Sequence, residues 1–189
     1  MSREQRRSFL LDRAATLVAE FGVGALTFES LAAAAGVTKS LPYAYFESPD
    51  EILLELFASV IGDLDDEVRA AHDAGGEFDE IVRRSLEVWF DAASERGRLV
   101  GALLDGRSVA GLRAAIRRRD QASLRLWRDL VVERYGLRDV DALVVASMLT
   151  STATAVVDLW VRRKGTRADL IDSFVALATN AVPSGTPAS

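Results

Sequence analysis

A helical spacing of apolar residues runs through almost the whole of this 189-residue chain, and it limits the fold more than any other feature. The clearest example follows Pro49, where apolar residues recur every three or four positions as far as Val68. That spacing places them on one face of a helix, which must be buried against other helices. No segment alternates apolar and polar residues as a half-buried strand does. The sequence therefore predicts an all-α fold.

Start and stop signals divide the chain into about nine helices, three of them short and confined to the first 47 residues. The second short helix is predicted between Thr27 and Gly36, and the third from Thr38 to about Phe46. Further along, Gly97 is expected to separate a fifth helix from a short sixth one.

The change from short to long helices predicts where two domains meet. A Ser-Pro-Asp-Glu sequence at residues 48–51 is a strong helix start signal, and long helices follow it. We therefore expect one domain over residues 1–47 and a larger one over residues 48–182. Residues 183–189, which contain Pro, Ser and Gly, are expected to form a disordered tail.

Composition excludes several classes of function. Cysteine is absent, so disulfides, thiol catalysis and cysteine-bound metals are excluded. A single histidine, His72, gives no support for a Ser-His-Asp arrangement. The acidic residues of segment 63–67 are spread around a helix axis, which is typical of a solvated face rather than a cation site. We therefore predict a protein that is not an enzyme and that uses no metal or cofactor.

Segment lengths argue against a membrane protein. The longest uncharged stretch, residues 142–157, has sixteen residues, and a bilayer requires roughly 18 or more. Near the N-terminus, Asp12 and Arg13 end an apolar run too early for a signal peptide. We expect a cytoplasmic protein with no membrane partner.

Residues 27–46 predict a helix-turn-helix. Two short helices are joined by a turn at Gly36-Val37-Thr38, and Ala32 and Ala35 are small enough for the helices to cross closely. In such a motif the second helix lies in the major groove of DNA.

A longer segment resembles a known family. From Arg13 to Leu54 the chain reads RAATLVAEFGVGALTFESLAAAAGVTKSLPYAYFESPDEILL. This order of an amphipathic helix ending in Phe-Gly, a Thr, Leu-Ala-x-x-Ala-Gly-Val, Tyr-x-x-Phe and an acidic helix start resembles the N-terminal domain of the TetR family of bacterial transcriptional regulators. The resemblance implies a three-helix DNA-binding domain followed by a larger helical domain that binds a ligand and dimerises.

The resemblance also implies which residues face duplex operator DNA: Thr27, Thr38, Lys39, Ser40, Leu41, Tyr43, Ala44 and Tyr45. Val37 and Phe46 match positions that hold the core of the three-helix domain. Three departures stand out. Leu41 replaces a usual Thr, Pro42 replaces a core Leu and is expected to remove at most one helical hydrogen bond, and Pro49 replaces a common Lys.

Charge bears on how tightly this segment would bind DNA. Residues 1–47 carry five basic and five acidic side chains, so they are neutral overall. Besides Lys39, the charged candidates for phosphate contacts are the arginines near the N-terminus (Arg3, Arg6 and Arg7), and helix N-terminal N–H groups are uncharged candidates. The alternative for the three arginines is a solvated tail. We therefore predict modest affinity that falls steeply with salt.

The resemblance further implies a small-molecule effector held by the later helices. Large apolar side chains typical of such pockets are candidates to line it: Phe57, Trp89, Phe90, Leu103, Leu104, Trp127 and Met148. Few charges fall on these helix faces, which favours a largely apolar ligand.

In the family the last two long helices pair with their copies to form a homodimer. Here those helices are predicted over residues 140–164 and 167–181. Small residues would permit close approach and larger ones would supply burial at the interface: Ser147, Ser151, Ala155, Leu159, Leu170, Phe174 and Leu177.

Together these features predict a ligand-responsive DNA-binding transcriptional regulator, and repression is the family's usual mode. The alternative is a helical dimer of the same fold that has lost DNA binding and acts as a small-molecule-binding or structural protein.

Overall fold

A computed structural model of the chain describes residues 1–182, and the predicted tail of residues 183–189 lies outside that range. Over the described residues the secondary structure is helical without a strand, which confirms the all-α prediction. The α-helices are α1 Arg3–Phe21, α2 Phe28–Ala35, α3 Pro49–Asp73, α4 Phe78–Leu104, α5 Ala110–Tyr135, α6 Asp139–Val161 and α7 Arg167–Asn180. Two short 3-10 helices lie at Val23–Ala25 and Pro42–Ala44.

The described residues thus form seven α-helices rather than the nine helices predicted, for two reasons. The expected third helix is only a 3-10 turn, and the expected fifth and sixth helices are joined as α4. Gly97 does not end α4, because the chain only kinks at Arg96 (φ −135°, ψ 19°) and then resumes its helical course. Buried Val100 and Leu103 continue the helix beyond the kink, and their burial offsets the weak helix propensity of glycine.

The chain packs as two compact units that do not follow chain order. The first unit contains Met1–Asp63 and Glu95–Ile116, and the second contains Leu64–Ser94 and the chain from Arg117 onward. Helices α3, α4 and α5 therefore each contribute residues to both units. The predicted division at residues 47 and 48 rests on the change from short to long helices, and it stays a prediction.

The core of the first unit is built from α1, α2 and the start of α3. Leu10, Ala14 and Val18 form the buried stripe of α1, spaced four residues apart. Leu31 of α2 and Ile52 of α3 are also fully buried. This small core holds the short elements of the first unit in place.

The core of the second unit draws on α4, α5, α6 and α7. Phe90, Val131, Ala142 and Ile171 are buried members of one continuous apolar cluster, one from each helix. Trp127 belongs to the same cluster, and its ring stacks edge-on against Phe78 with centroids 6.5 Å apart.

Helix α6 is more apolar than the sequence analysis allowed for. It has 23 residues and is long and apolar enough, by length and composition alone, to cross a membrane. Six of its residues are buried in the protomer: Ala142, Val145, Ala146, Leu149, Val156 and Val157. These six residues belong to the core cluster, so this face of α6 packs within the second unit.

One buried titratable side chain lies in the second unit. His72, in the last turn of α3, packs edge-on against Trp127 with ring centroids 4.2 Å apart. Its Nε2 atom is buried without a hydrogen-bond partner. Burial lowers the pKa of His72 to about 4, with Arg69 and Arg84 adding to the effect and Asp73 opposing it.

We predict that His72 makes folding sensitive to mild acid. As pH falls through about 6.5, the unfolded chain takes up a proton that the folded chain accepts only near pH 4, so stability is lost across this window. Between about pH 7.5 and pH 5 the loss is about 2 kcal/mol. Urea unfolding of the wild-type protein and of His72→Gln across this range measures it.

The variant keeps every carboxylate of the wild-type protein, so the difference between the two stability curves isolates the imidazole. We expect the wild-type curve to decline more steeply than the variant curve. Parallel curves would contradict the prediction.

Candidate nucleic-acid interface

Helix α2 is closed at both ends by local interactions that the sequence predicts. Thr27 caps its start, because Thr27 Oγ1 accepts a hydrogen bond from the Ser30 N–H at 3.0 Å and Ser30 Oγ accepts one from the Thr27 N–H at 2.9 Å. Gly36 ends it in the left-handed conformation (φ 65°), which glycine adopts without strain. The Val37 N–H then donates to the Ala32 carbonyl at 3.0 Å, which fixes the direction in which the chain leaves the helix.

The segment that follows is a run of tight turns instead of the predicted α-helix from Thr38 to Phe46. Three of its hydrogen bonds span three residues and measure 3.0 Å each: the Leu41 N–H to the Thr38 carbonyl, the Ala44 N–H to the Leu41 carbonyl, and the Tyr45 N–H to the Pro42 carbonyl. Only the Phe46 N–H, which also donates to the Pro42 carbonyl at 3.0 Å, spans four residues as in an α-helix. Pro42 is buried and has no N–H to donate to the Thr38 carbonyl, so that carbonyl accepts from Leu41 instead. The missing bond is the one that Pro42 was expected to remove, but the segment is a 3-10 turn rather than the predicted α-helix.

Residues 38–45, which we call the recognition segment, lie at the surface of the first unit. All the predicted DNA-facing residues are exposed or half-buried; Thr27, Thr38, Lys39, Ser40, Tyr43 and Ala44 are exposed, and Leu41 and Tyr45 are half-buried. The Tyr43 side chain is 67% exposed although its ring packs edge-on against buried Phe28 at 4.4 Å. Hydroxyl and amine groups are thus presented outward from a backbone anchored on both sides.

Phe46 anchors the far end of the recognition segment. It is buried, as predicted, whereas Val37 at the near end is half-buried. The guanidinium of Arg7 lies 4.8 Å from the centre of the Phe46 ring. Phe46 therefore connects the segment both to the core and to α1.

Arg7 also joins α1 to α3. It forms a two-pronged ion pair with Glu55, in which Arg7 Nη2 lies 2.6 Å from Glu55 Oε2, and it lies 3.5 Å from Glu51. The Glu55 carboxylate raises the pKa of Arg7. Ser48 caps the Glu51 N–H at 3.1 Å, as predicted. Arg7 is thus committed to carboxylates in α3, which argues against its predicted role as a phosphate contact.

Lys39 also has a carboxylate partner. Its Nζ atom forms an ion pair with Glu29 of α2. Both side chains are largely exposed, at 78% and 73%, so the pair is weak and water competes for both partners. The pair nevertheless offsets the charge of Lys39 on the face that carries the recognition segment.

The candidate ligand-lining residues are divided between the two units. Phe57, Leu103 and Leu104 belong to the first unit, and Trp89, Phe90, Trp127 and Met148 belong to the second. In the second unit Phe90 and Trp127 are buried in the core cluster, and Trp89 packs against it. Met148 is 53% exposed and lies on the outer face of α6, and its role as a ligand-lining residue stays a prediction.

Sequence reasoning missed three polar side chains in the second unit that are half-buried or buried. Arg119 Nε lies 2.9 and 3.1 Å from the two carboxylate oxygens of Asp65, and its guanidinium stacks 4.8 Å from the centre of the Trp89 ring. Burial raises the pKa of Asp65, and Arg119 opposes that effect. Ser85 is buried and its Oγ atom has no partner. A polar residue on an apolar helix stripe was the available signal for each.

The predicted dimer residues also separate into two groups. Ser147, Ser151, Ala155, Leu159 and Leu177 are exposed, whereas Leu170 is half-buried against the core cluster. Phe174 is only 6% exposed because it fills the core of its own protomer. Its contribution to an interface stays a prediction.

Comparisons with known proteins support the interpretation of residues 27–46. Residues 10–56 match the profile of bacterial regulatory proteins of the tetR family. The HTH-type transcriptional regulator BetI of Rhizobium meliloti (strain 1021) is 31% identical over 180 residues, which cover 94% of this chain and 87% of that protein. The HTH-type transcriptional repressor KstR2 of Rhodococcus jostii (strain RHA1) is 36% identical over 82 residues, 43% of this chain and 35% of that protein.

Solved structures share the fold as well. A TetR-like transcriptional regulator from Rhodococcus sp. RHA1 superimposes with a TM-score of 0.79 at 21% identity, covering 95% of this chain and 97% of that one. At this level of identity the likeness concerns the fold alone.

Proposed function

Because this chain belongs to the TetR family of bacterial regulatory proteins, and is thus a transcriptional regulator, we propose that its recognition segment contacts operator DNA and that a small, largely apolar molecule releases it. Its partners would then be duplex DNA, that effector and a second copy of the chain. Such a protein acts in the cytoplasm as a repressor and performs no catalysis. Residues 1–47 would serve DNA binding and residues 48–182 would serve ligand binding and dimerisation.

The observation that carries the DNA-binding proposal is the outward presentation of residues 38–45 between two anchored ends. The hydroxyls of Thr38 and Ser40 and the phenol of Tyr43 can donate to phosphates, Leu41 can contact a thymine methyl group, and Lys39 can reach a guanine edge or a phosphate. Backbone hydrogen bonds hold the segment in one conformation, which limits the entropy lost on binding.

A second copy of the chain is the proposed occupant of the exposed face of α6. Val140, Val144 and Met148 recur every four residues along one face, and all three are more than half exposed. Leu159 of α6 and Leu177 of α7 are exposed apolar residues as well. Two DNA half-sites about one helical turn apart require a two-fold symmetric protein. The exposed apolar face of α6 would then serve to hold two copies of the chain together.

Unsatisfied buried polar atoms support a ligand site in the second unit. Ser85 Oγ and His72 Nε2 both lack partners, and a buried polar atom without a partner costs free energy. An effector that is mostly apolar but carries one hydroxyl or carbonyl group could form a hydrogen bond with one of these atoms. Trp89, Phe90 and Trp127 of the same unit would contact its apolar part.

The effector would act by binding more tightly to a conformation of the protein with low affinity for DNA than to the conformation that binds DNA. Helix α3 starts beside the recognition segment and ends at Asp73 in the second unit, so one continuous helix contains residues of both proposed sites. The affinity for DNA then falls by no more than the difference in ligand affinity between the two states.

We predict that Glu29 limits the contribution of Lys39 to DNA binding. Glu29→Gln removes the competing carboxylate, so its affinity for duplex DNA from upstream of the protein's own gene should rise a few-fold, whereas Lys39→Gln should lower it. Fluorescence anisotropy at several salt concentrations measures both effects.

Glu20→Gln is the matched control, because it makes the same charge change at an exposed position in α1 outside the recognition segment. Its affinity should rise less than that of Glu29→Gln. If the wild-type protein binds no duplex even at low salt, the alternative of a helical dimer that has lost DNA binding is supported instead.

We predict a dimer in solution with twice the chain mass of 20.5 kDa, measurable by light scattering at micromolar concentration. Leu177→Glu should yield a monomer that stays folded, because the side chain is 69% exposed in the protomer and its charge would be buried only in the dimer. Phe21→Glu, which changes a similarly exposed apolar residue in α1, should stay dimeric. A monomeric wild-type protein would exclude the proposed interface.

We predict that compounds which raise the melting temperature of the protein also weaken its binding to DNA. In a comparison of a fatty alcohol with the matching alkane, the alcohol should give the larger melting shift, and Ser85→Ala should remove that difference. Thermal melting and anisotropy on the same samples test the linkage. Stabilising compounds that leave DNA affinity unchanged would contradict the proposed mechanism.

A further inference from the structure

The arginines of α1 differ in how far their charge is offset. Arg7 is committed to the carboxylates of Glu51 and Glu55. Arg3 and Arg6 are exposed, and within residues 1–182 neither has a carboxylate partner. Two cationic side chains near the start of the chain thus remain available for an external anion.

Arg3 and Arg6 line a groove together with the end of the recognition segment. The groove measures about 390 Å³, and its walls are formed by Met1, Arg3, Arg6, Leu41, Ala44 and Tyr45. The Arg3 guanidinium lies 5.8 Å from the centre of the Tyr45 ring, which orients it over that ring. Three of the lining residues are predicted DNA-facing residues, so the groove is continuous with the surface proposed to meet DNA.

The anion-binding capacity of this groove comes from side chains rather than from the start of α1. Ser2 Oγ already accepts the Gln5 N–H at 3.1 Å, and Gln5 Oε1 accepts the Ser2 N–H at 2.8 Å. Glu4 is the nearest acid in sequence, but it does not line the groove and points about 100° around the helix from Arg3. The groove therefore carries a net positive charge from the two guanidinium groups.

We infer that this groove is a second DNA contact, in which Arg3 and Arg6 hold phosphate groups of the operator backbone beside the recognition segment. Guanidinium groups match phosphate oxygens through paired hydrogen bonds, and the Tyr45 hydroxyl can donate a further one. The contact compensates for Pro49, which stands where the resemblance implies a phosphate-binding lysine. The inference rests on the proposed DNA-binding function.

The salt dependence of DNA binding tests this contact. Each lost phosphate contact lowers the slope of log K against log salt by about 0.9, so Arg3→Gln with Arg6→Gln should lower it by nearly four in a symmetric dimer. Affinity should fall at least roughly tenfold for the operator and for an unrelated duplex alike, because backbone contacts do not read sequence. Replacing both arginines with lysine should restore most of the slope.

The matched control is Arg117→Gln with Arg118→Gln, which removes the same charge from exposed positions in the second unit. Tyr45→Phe, which keeps the ring and removes the hydroxyl, should weaken binding to both duplexes by a smaller factor. Melting temperatures confirm that each variant is folded.

Two results would overturn the inference: an unchanged slope in the Arg3 and Arg6 double variant, or a loss confined to the operator, which would mean that the groove reads bases. A wild-type protein that binds no duplex would instead refute the proposed function itself, so the two failures are distinguishable.

Discussion

The bridge from Arg7 to Glu55 and Phe46 is the contact on which the proposed DNA-binding surface depends. The buried stripe of α1 packs the first unit, but apolar packing alone has little directional preference. Arg7 adds direction, because its paired hydrogen bonds set α1 against α3 while its flat guanidinium covers the ring that ends the recognition segment. The segment between Gly36 and Phe46 is therefore held from both sides.

This arrangement also determines how charge is distributed on the first unit. Arg7 is paired with Glu55, and the charge of Lys39 is offset by Glu29. Residues 1–47, which are neutral overall, therefore have few cationic side chains available to bind DNA. Arg3 and Arg6 at the groove become important for that reason. Contacts to the DNA phosphates that are weak and sensitive to salt contribute little binding free energy. An effector therefore needs only a small coupling free energy to release the protein from DNA.

Local signals in the sequence predicted much of the fold and of the candidate site. The caps at Thr27 and Ser48 and the end of α2 at Gly36 lie where predicted, because each depends on side chains within a few residues. Thr38, Lys39, Ser40, Tyr43 and Ala44 are exposed, as the motif predicts. The predicted third α-helix was wrong, because residues 42–44 form only a 3-10 turn around the buried Pro42.

The sequence by itself determined the helical character of the chain and the position of the recognition segment, since both follow from periodicity and short-range capping. Only the tertiary structure decided that Phe174 fills its own core, that Asp65 meets Arg119, and that Arg3 and Arg6 share a groove with Tyr45. The residues that meet in this way come from segments far apart in the sequence. The packing of the whole unit decides which helix faces meet. The apolar spacing of one helix does not identify the helix against which it packs.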